Sequence, residues 1–142
     1  MVLALLSLIF ATLFTGAALY ISLVEHPARL LLDDGPLLAQ WQPSYKRALP
    51  IQASLAILGG LAGIAAWLLL GDWRLLAGAL FMLANWPLTM IVIMPINKRL
   101  QATPPSEAGL DSRALLIRWG RLHDMRSALG SAAVLLFAWG QF

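Results

Sequence analysis

The sequence predicts an all-α protein, a four-helix transmembrane bundle of up-down topology. Three observations predict it. Of the 142 residues, 60% are hydrophobic and only 12% charged, against about a quarter charged in an ordinary soluble domain. That leaves too little charge to cover a water-facing surface. The apolar residues run in stretches of about 20, the length at which a helix crosses the hydrocarbon core. No strand-like alternation interrupts them. The length is that of one domain, so 1–142 reads as a single transmembrane unit.

The first span, 2–24, carries no charge. It lacks a positive n-region, exceeds an ordinary h-region and has no A-x-A site before Glu25, so it reads as a retained helix rather than a signal peptide. It is expected to stop at Glu25-His26-Pro27, because proline disfavours helix at the residue before it. The connector Glu25–Arg47 contains Leu30-Leu31-Leu32 and Leu37-Leu38 and is expected to be partly helical, as short interfacial helices. The second span, 49–70, holds Gly59 and Gly63 at the small-xxx-small spacing that lets helices approach closely. A tight turn, Gly71-Asp72-Trp73-Arg74, leads to the third span, 75–97, which runs on towards Leu100. Thr103-Pro104-Pro105 then breaks the helix.

The fourth helix is expected to start at Asp111 or Ser112, either of which can cap it. Arg113–Arg126 is amphipathic, and the apolar part, Ser127–Phe142, has only 16 residues. At about 1.5 Å per residue that is too short to span. The fourth span, 117–140, must therefore take part of the amphipathic half, with His123 and Arg126, into the bilayer.

There are no cysteines, which excludes a disulfide framework and a thiolate metal site. The net charge of +3 comes without a polybasic run, so a nucleic-acid partner is not expected. Arg29, Lys46 and Arg47 lie in the first connector; Lys98, Arg99, Arg113, Arg118, Arg121 and Arg126 lie around the third; only Arg74 lies in the second. The positive-inside rule then puts both large connectors in the cytoplasm and both termini outside, with Trp73 and Trp139 at the outer interface.

An up-down bundle brings the polar helix ends together. Glu25, His26 and Arg29 close the first helix; Tyr45, Arg47 and Gln52 open the second; Asn97 closes the third, with Thr89 and Asn85 deeper. Trp119, His123, Arg126 and Gly130 fall at i, i+4, i+7 and i+11 on the fourth, a single stripe. Ionisable groups at membrane depth usually face the bundle interior and mark function. The plainer account is that charges at helix ends snorkel and fix orientation, and it suits Lys98, Arg99, Arg113 and Arg118. Asn85 is more often interhelical glue than a ligand, and Trp86, Trp119 and Tyr45 more often packing or interfacial anchors. His26 can simply terminate a helix.

Two chemical readings fit the cluster. In one, His123, or else His26, is a general base on a phenolic or enolic substrate, as its ordinary pKa near 6.5 allows. Arg126 or Arg29 stabilises the oxyanion; Glu25, Tyr45, Arg47, Asn85, Asn97 and Trp119 bind substrate, and no cofactor is required. In the other, Glu25, His26 and His123 hold a transition metal, or the two histidines ligate a haem, in a non-enzymatic membrane subunit or partner protein. No H-E-x-x-H or His-rich tract supports it. A transporter fits poorly, since there are no broken inverted repeats. The expected partners are the bilayer, a lipophilic small molecule and a second copy of the chain.

G-A-A-L-Y at Gly16–Tyr20, V-E-H-P-A-R at Val24–Arg29, W-Q-P-S-Y-K-R at Trp41–Arg47, N-W-P-L-T at Asn85–Thr89, P-I-N-K-R-L at Pro95–Leu100 and R-W-G-R-L-H-D-M-R at Arg118–Arg126 together carry a resemblance. The chain resembles the anthrone oxygenase-like integral membrane family, a largely bacterial group. The resemblance implies a four-helix membrane fold, a bacterial inner-membrane location, and oxidation of anthrones to anthraquinones without a cofactor, as in fungal relatives. The substrate is supplied by the resemblance and not by the residues.

Overall fold

A computed structural model describes residues 1–142 as four long helices: α1 (Val2–Arg29), α2 (Asp34–Leu70), α3 (Trp73–Ala102) and α4 (Leu110–Trp139). There are no strands, and a single 3₁₀ turn, Pro105–Glu107, lies between α3 and α4. Each helix packs on its neighbours in chain order, and α4 closes the ring on α1. This is an up-down four-helix bundle. α1, α2 and α3 are each long and apolar enough to cross a membrane, whereas α4 carries too much charge in its first half to qualify alone. Large side chains such as Leu13, Leu61, Leu68, Leu80, Ile91 and Leu135 point outward uncovered. In water such a surface would be an aggregation liability; against lipid it is the expected outer face. The chain is an integral membrane protein.

Two corrections to the sequence reading concern proline. α1 does not stop at His26 but runs through Pro27 to Arg29. It does so by widening: Ile21–Glu25 is a π-helical turn, in which the His26 N–H reaches back to the Ile21 carbonyl. α3 repeats the device over Leu88–Ile93, where the Met94 N–H bonds the Thr89 carbonyl immediately before Pro95. A proline ring clashes with the carbonyl four residues back, and a local π turn relieves that while keeping backbone groups paired. The second correction is that the helical part of the first connector is not a set of separate interfacial pieces. It is continuous with the second span, through Pro43 and Pro50, as one helix of 37 residues. Leu37, Leu38 and Trp41 are completely buried, and that packing outweighs the hydrogen bond each proline removes. At 1.5 Å per residue α2 is about 55 Å long, nearly twice the ~30 Å hydrocarbon core, so several turns stand clear of it.

The core has two apolar layers. One is built of alanines around Phe14 and Phe137, with Leu75 and Met82. The other, towards the connector end, holds Leu37, Leu38, Trp41, Ile93, Ile96, Leu100, Leu116 and Trp119. Gln52, Asn85, Thr89, His123, Arg126 and Ser127 form a buried polar level between these layers, whereas Ser7 and Thr15 lie within the first layer and His26, Arg29, Asn97 and Ser112 lie at the connector end.

The ends are tied differently. Gly71 adopts the left-handed conformation (φ 71°) that ends α2, where glycine has no Cβ penalty. Asp72 caps α3 by accepting from the Arg74 backbone N–H at 2.9 Å, and hydrogen bonds from Arg74 hold its carboxyl below the usual range. The Arg74 guanidinium lies over the Trp139 ring and donates to the Trp139 carbonyl at 2.8 Å. Gln141 donates to the Ala4 carbonyl, so both termini share this end. At the other end Arg113 pairs with Asp34 at 2.5 Å and donates to the carbonyls of Leu30 and Leu32. α4 starts earlier than expected, at Leu110: Gly109, not Asp111 or Ser112, is the cap position, and Ser112 acts from the third helical position, accepting from the Gly109 N–H at 3.0 Å.

Candidate active site

α4 builds one wall. The stripe of Trp119, His123, Arg126 and Gly130 is buried along its whole length. Trp119 stacks on His123 (4.9 Å, 15°) and packs against His26 of α1 (5.2 Å, 57°). Trp41 of α2 meets Trp119 edge-on at 5.6 Å and stacks on Tyr45 at 4.9 Å. Both imidazoles therefore contact one indole within a cage of aromatic rings. Neither imidazole makes a well-formed hydrogen bond to another side chain; the nearest backbone partners are Leu116 for His26 and Ala18 for His123.

Arg126 is the charge at the centre. It is 8% exposed, its Nε has no hydrogen-bond partner, and its guanidinium lies 5.5 Å from the centre of the Phe14 ring. The molecule's ion pairs are Glu25–Arg29, Asp72–Arg74 and Asp34–Arg113, so no carboxylate neutralises it. Removing a charge from water without a partner costs at least several kcal/mol. Such a residue within a bundle marks a candidate functional site.

Two cavities meet at Arg126 and Leu49. The inner one, about 20 Å³, is bounded by His123, Arg126, Arg29, Tyr45 and Gln52, room for about one water. The outer one, about 180 Å³, lies between α2 and α3 and is lined by Leu49, Ala53, Asn85, Trp86, Thr89 and Met90, with Arg126 reaching it. Its size is comparable with a cavity of ~150 Å³ that holds a benzene ring. Trp86 and Met90 are exposed on the lipid-facing side of α3, so the opening is lateral. Asn85 donates through Nδ2 to the carbonyls of Phe81 and Met82 in its own helix, which leaves its Oδ1 without a partner. It is not interhelical glue. Asn97 is buried beside Tyr45, whose hydroxyl also touches the Met94 sulfur at 3.9 Å.

A family model described as anthrone oxygenase matches residues 41–136. The chain belongs to the anthrone oxygenase family. Comparisons with curated proteins and with solved structures give no match. The anthrone oxygenase match takes in both walls of the outer cavity together with Trp41, Tyr45, Trp119, His123 and Arg126. It begins after α1, so Glu25, His26 and Arg29 lie outside it.

The remaining candidates sort by geometry. Arg29 is buried and reaches the inner cavity, but its guanidinium is committed to Glu25 at 2.6 Å, to Gln40 and to Ser44 at 3.3 Å. The Glu25 carboxylate is taken up by Arg29, Ser44 and Gln40. The alternative metal set of Glu25, His26 and His123 does not assemble: no three His, Asp or Glu side chains come together as ligands. The space beside His123 would not take a porphyrin either. Arg47 is exposed on a surface hollow with Gln40, Pro43 and Ile51, apart from the buried cluster. Sequence reasoning passed over Gly120. A Cβ there would lie 2.5 Å from the His26 Nε2, so this glycine is what admits the His26 ring against α4. Trp41 was also passed over, although its i, i+4 spacing to Tyr45 puts both on one helix face.

Proposed function

We propose that this anthrone oxygenase family member is an enzyme that oxidises a lipophilic anthrone, phenol or quinol-type aromatic with dioxygen. The observation that carries the reading is Arg126: buried, without a carboxylate partner, and shared between a lateral apolar cavity and the small space beside His123. Substrate would come from the bilayer between α2 and α3, with one ring in the outer cavity and the remainder extending through the opening. An aromatic carbonyl or hydroxyl would sit at Arg126, where an enolate or phenolate is stabilised in a site of low dielectric. His123 would take the proton and Trp119 would hold the imidazole by stacking.

For an anthrone the balance is simple. His123 removes one proton of the ring CH₂, giving the enolate held by Arg126. The carbanion carbon passes one electron to dioxygen, and the two radicals join in a C–O bond. Protonated His123 returns its proton to the terminal peroxide oxygen. Loss of water takes the second hydrogen from the same carbon and leaves a C=O. One CH₂ and one O₂ are consumed; one carbonyl and one water are formed. We place the protein in a bacterial inner membrane with the connector end cytoplasmic.

The test is oxygen uptake by monodisperse, detergent-purified protein given an anthrone or a related hydroquinone. One O₂ should disappear per quinone formed, above the uncatalysed rate. His123→Ala should lower turnover by about 100- to 10,000-fold, the usual range for loss of a general base. Wild-type specific activity in that variant removes His123 as the base. No uptake by the wild-type protein with either substrate sinks the enzymatic reading.

A further inference from the structure

On the outside of the bundle a second feature is independent of the buried site. A groove of about 400 Å³ runs between the C-terminal half of α3 and the first half of α4. Its wall is Ile91, Val92, Pro95 and Leu115, and Arg99 and Arg118 flank it. Both arginines are exposed, and neither belongs to any of the three ion pairs. No acidic residue lines the groove. Glu107 and Asp111 border a neighbouring hollow that Arg99 also touches, without forming an ion pair with it. Ile91 is among the most exposed apolar side chains of α3.

Two guanidinium groups on adjacent helices thus share one groove whose other walls are apolar. A snorkelling cation needs no partner, but two that line one cleft put two guanidinium donors beside a hydrocarbon-compatible wall, and charge-assisted hydrogen bonds from guanidinium to phosphate are among the strong ones. The geometry points to a binding site for one anionic phospholipid, its phosphate held by Arg99 and Arg118 and an acyl chain laid along Ile91 and Val92. Charge complementarity selects an anionic headgroup. The apolar wall, lying on a helix long and apolar enough to cross the membrane, selects a lipid over a free phosphate. Basic pockets between transmembrane helices at the bilayer surface are a recognised mode of this kind.

Native mass spectrometry of the full chain tests this, after exchange into mixed vesicles or micelles holding equal phosphatidylglycerol and phosphatidylcholine. Each surface arginine contributes about fivefold to anionic-lipid attraction. One phosphatidylglycerol should therefore be retained with a preference on the order of thirty-fold. The double variant Arg99→Gln/Arg118→Gln should lose that preference while keeping wild-type helicity by circular dichroism. Lys46→Gln/Arg47→Gln removes two exposed cations on α2, outside the groove, and should keep it. Equal loss in both double variants would mean a diffuse basic collar and overturn the site. So would retention by Arg99→Gln/Arg118→Gln, or displacement of the lipid by millimolar inorganic phosphate.

Discussion

A guanidinium buried without a carboxylate is a destabilising element that a purely structural role would not retain. Replacing a buried charge by an apolar side chain of similar length is often neutral or stabilising, and functional residues commonly carry such a cost. Arg126→Met should therefore raise the melting temperature of the purified protein while reducing oxygenation to background. Arg126→Lys keeps the charge but loses the planar fork, and should lower kcat/KM by about 10- to 100-fold, the scale of a hydrogen bond to a charged group. Both quantities are read on the same monodisperse sample. A lower melting temperature with unchanged specific activity in Arg126→Met would make the residue structural. At this scale the sequence was informative where a single helix decides the outcome. The spacing of Trp119, His123, Arg126 and Gly130 placed them on one inward stripe, and all are buried. It failed where the partner sits on another helix. Glu25 read as a ligand or binding group, yet Gln40 and Ser44 of α2 occupy its carboxylate, and no local pattern announces that.

Among the elements, close approach is set by glycine more than by apolar bulk, because lipid removes most of the hydrophobic drive for helices to associate and leaves packing to decide. Phe137 of α4 is wedged between Gly63 of α2 and Gly78 of α3. A Cβ at either would come within 2.8 Å of the ring. Alanine gains about 1 kcal/mol over glycine in a helix interior, whereas overpacking a full site costs about 1–3 kcal/mol. The ring is hemmed from both sides, so the packing cost should win. Gly78→Ala should lower thermal stability, and Gly78→Ala/Phe137→Leu should recover part of the loss. A rise in melting temperature for Gly78→Ala alone would show that α4 can shift freely. Helix identity and the Thr103-Pro104-Pro105 break were legible because long apolar runs and consecutive prolines act locally. Passage of the chain through Pro27, Pro43 and Pro50 was not legible. π turns at Ile21–Glu25 and Leu88–Ile93, and the burial of Leu37, Leu38 and Trp41, are tertiary responses to an unfavourable local sequence.

For the whole molecule, orientation in the bilayer follows from which charges remain free to act on it. Nine Lys and Arg residues lie at the connector end by sequence, against Arg74 at the other. Arg29 and Arg126 are buried within the bundle and contribute little to the surface. Arg113 is engaged with Asp34 and two backbone carbonyls. Lys46, Arg47, Lys98, Arg99, Arg118 and Arg121 remain exposed, while Arg74 is neutralised by Asp72 at 2.7 Å. The bias therefore survives removal of every buried or paired charge, and it is the exposed Lys and Arg flanking the spans that direct topology. Both termini lie at the Arg74 end, joined by the Gln141–Ala4 hydrogen bond, so one measurement at either terminus fixes the whole bundle. A reporter active only in the cytoplasm should be silent when fused after Phe142 and active when inserted after Gln101; a reporter active only outside should give the reverse. Cytoplasmic activity from the C-terminal fusion would invert the molecule. The site would then open its connector end outward, and the basic groove between α3 and α4 would face the outer leaflet instead of the inner one.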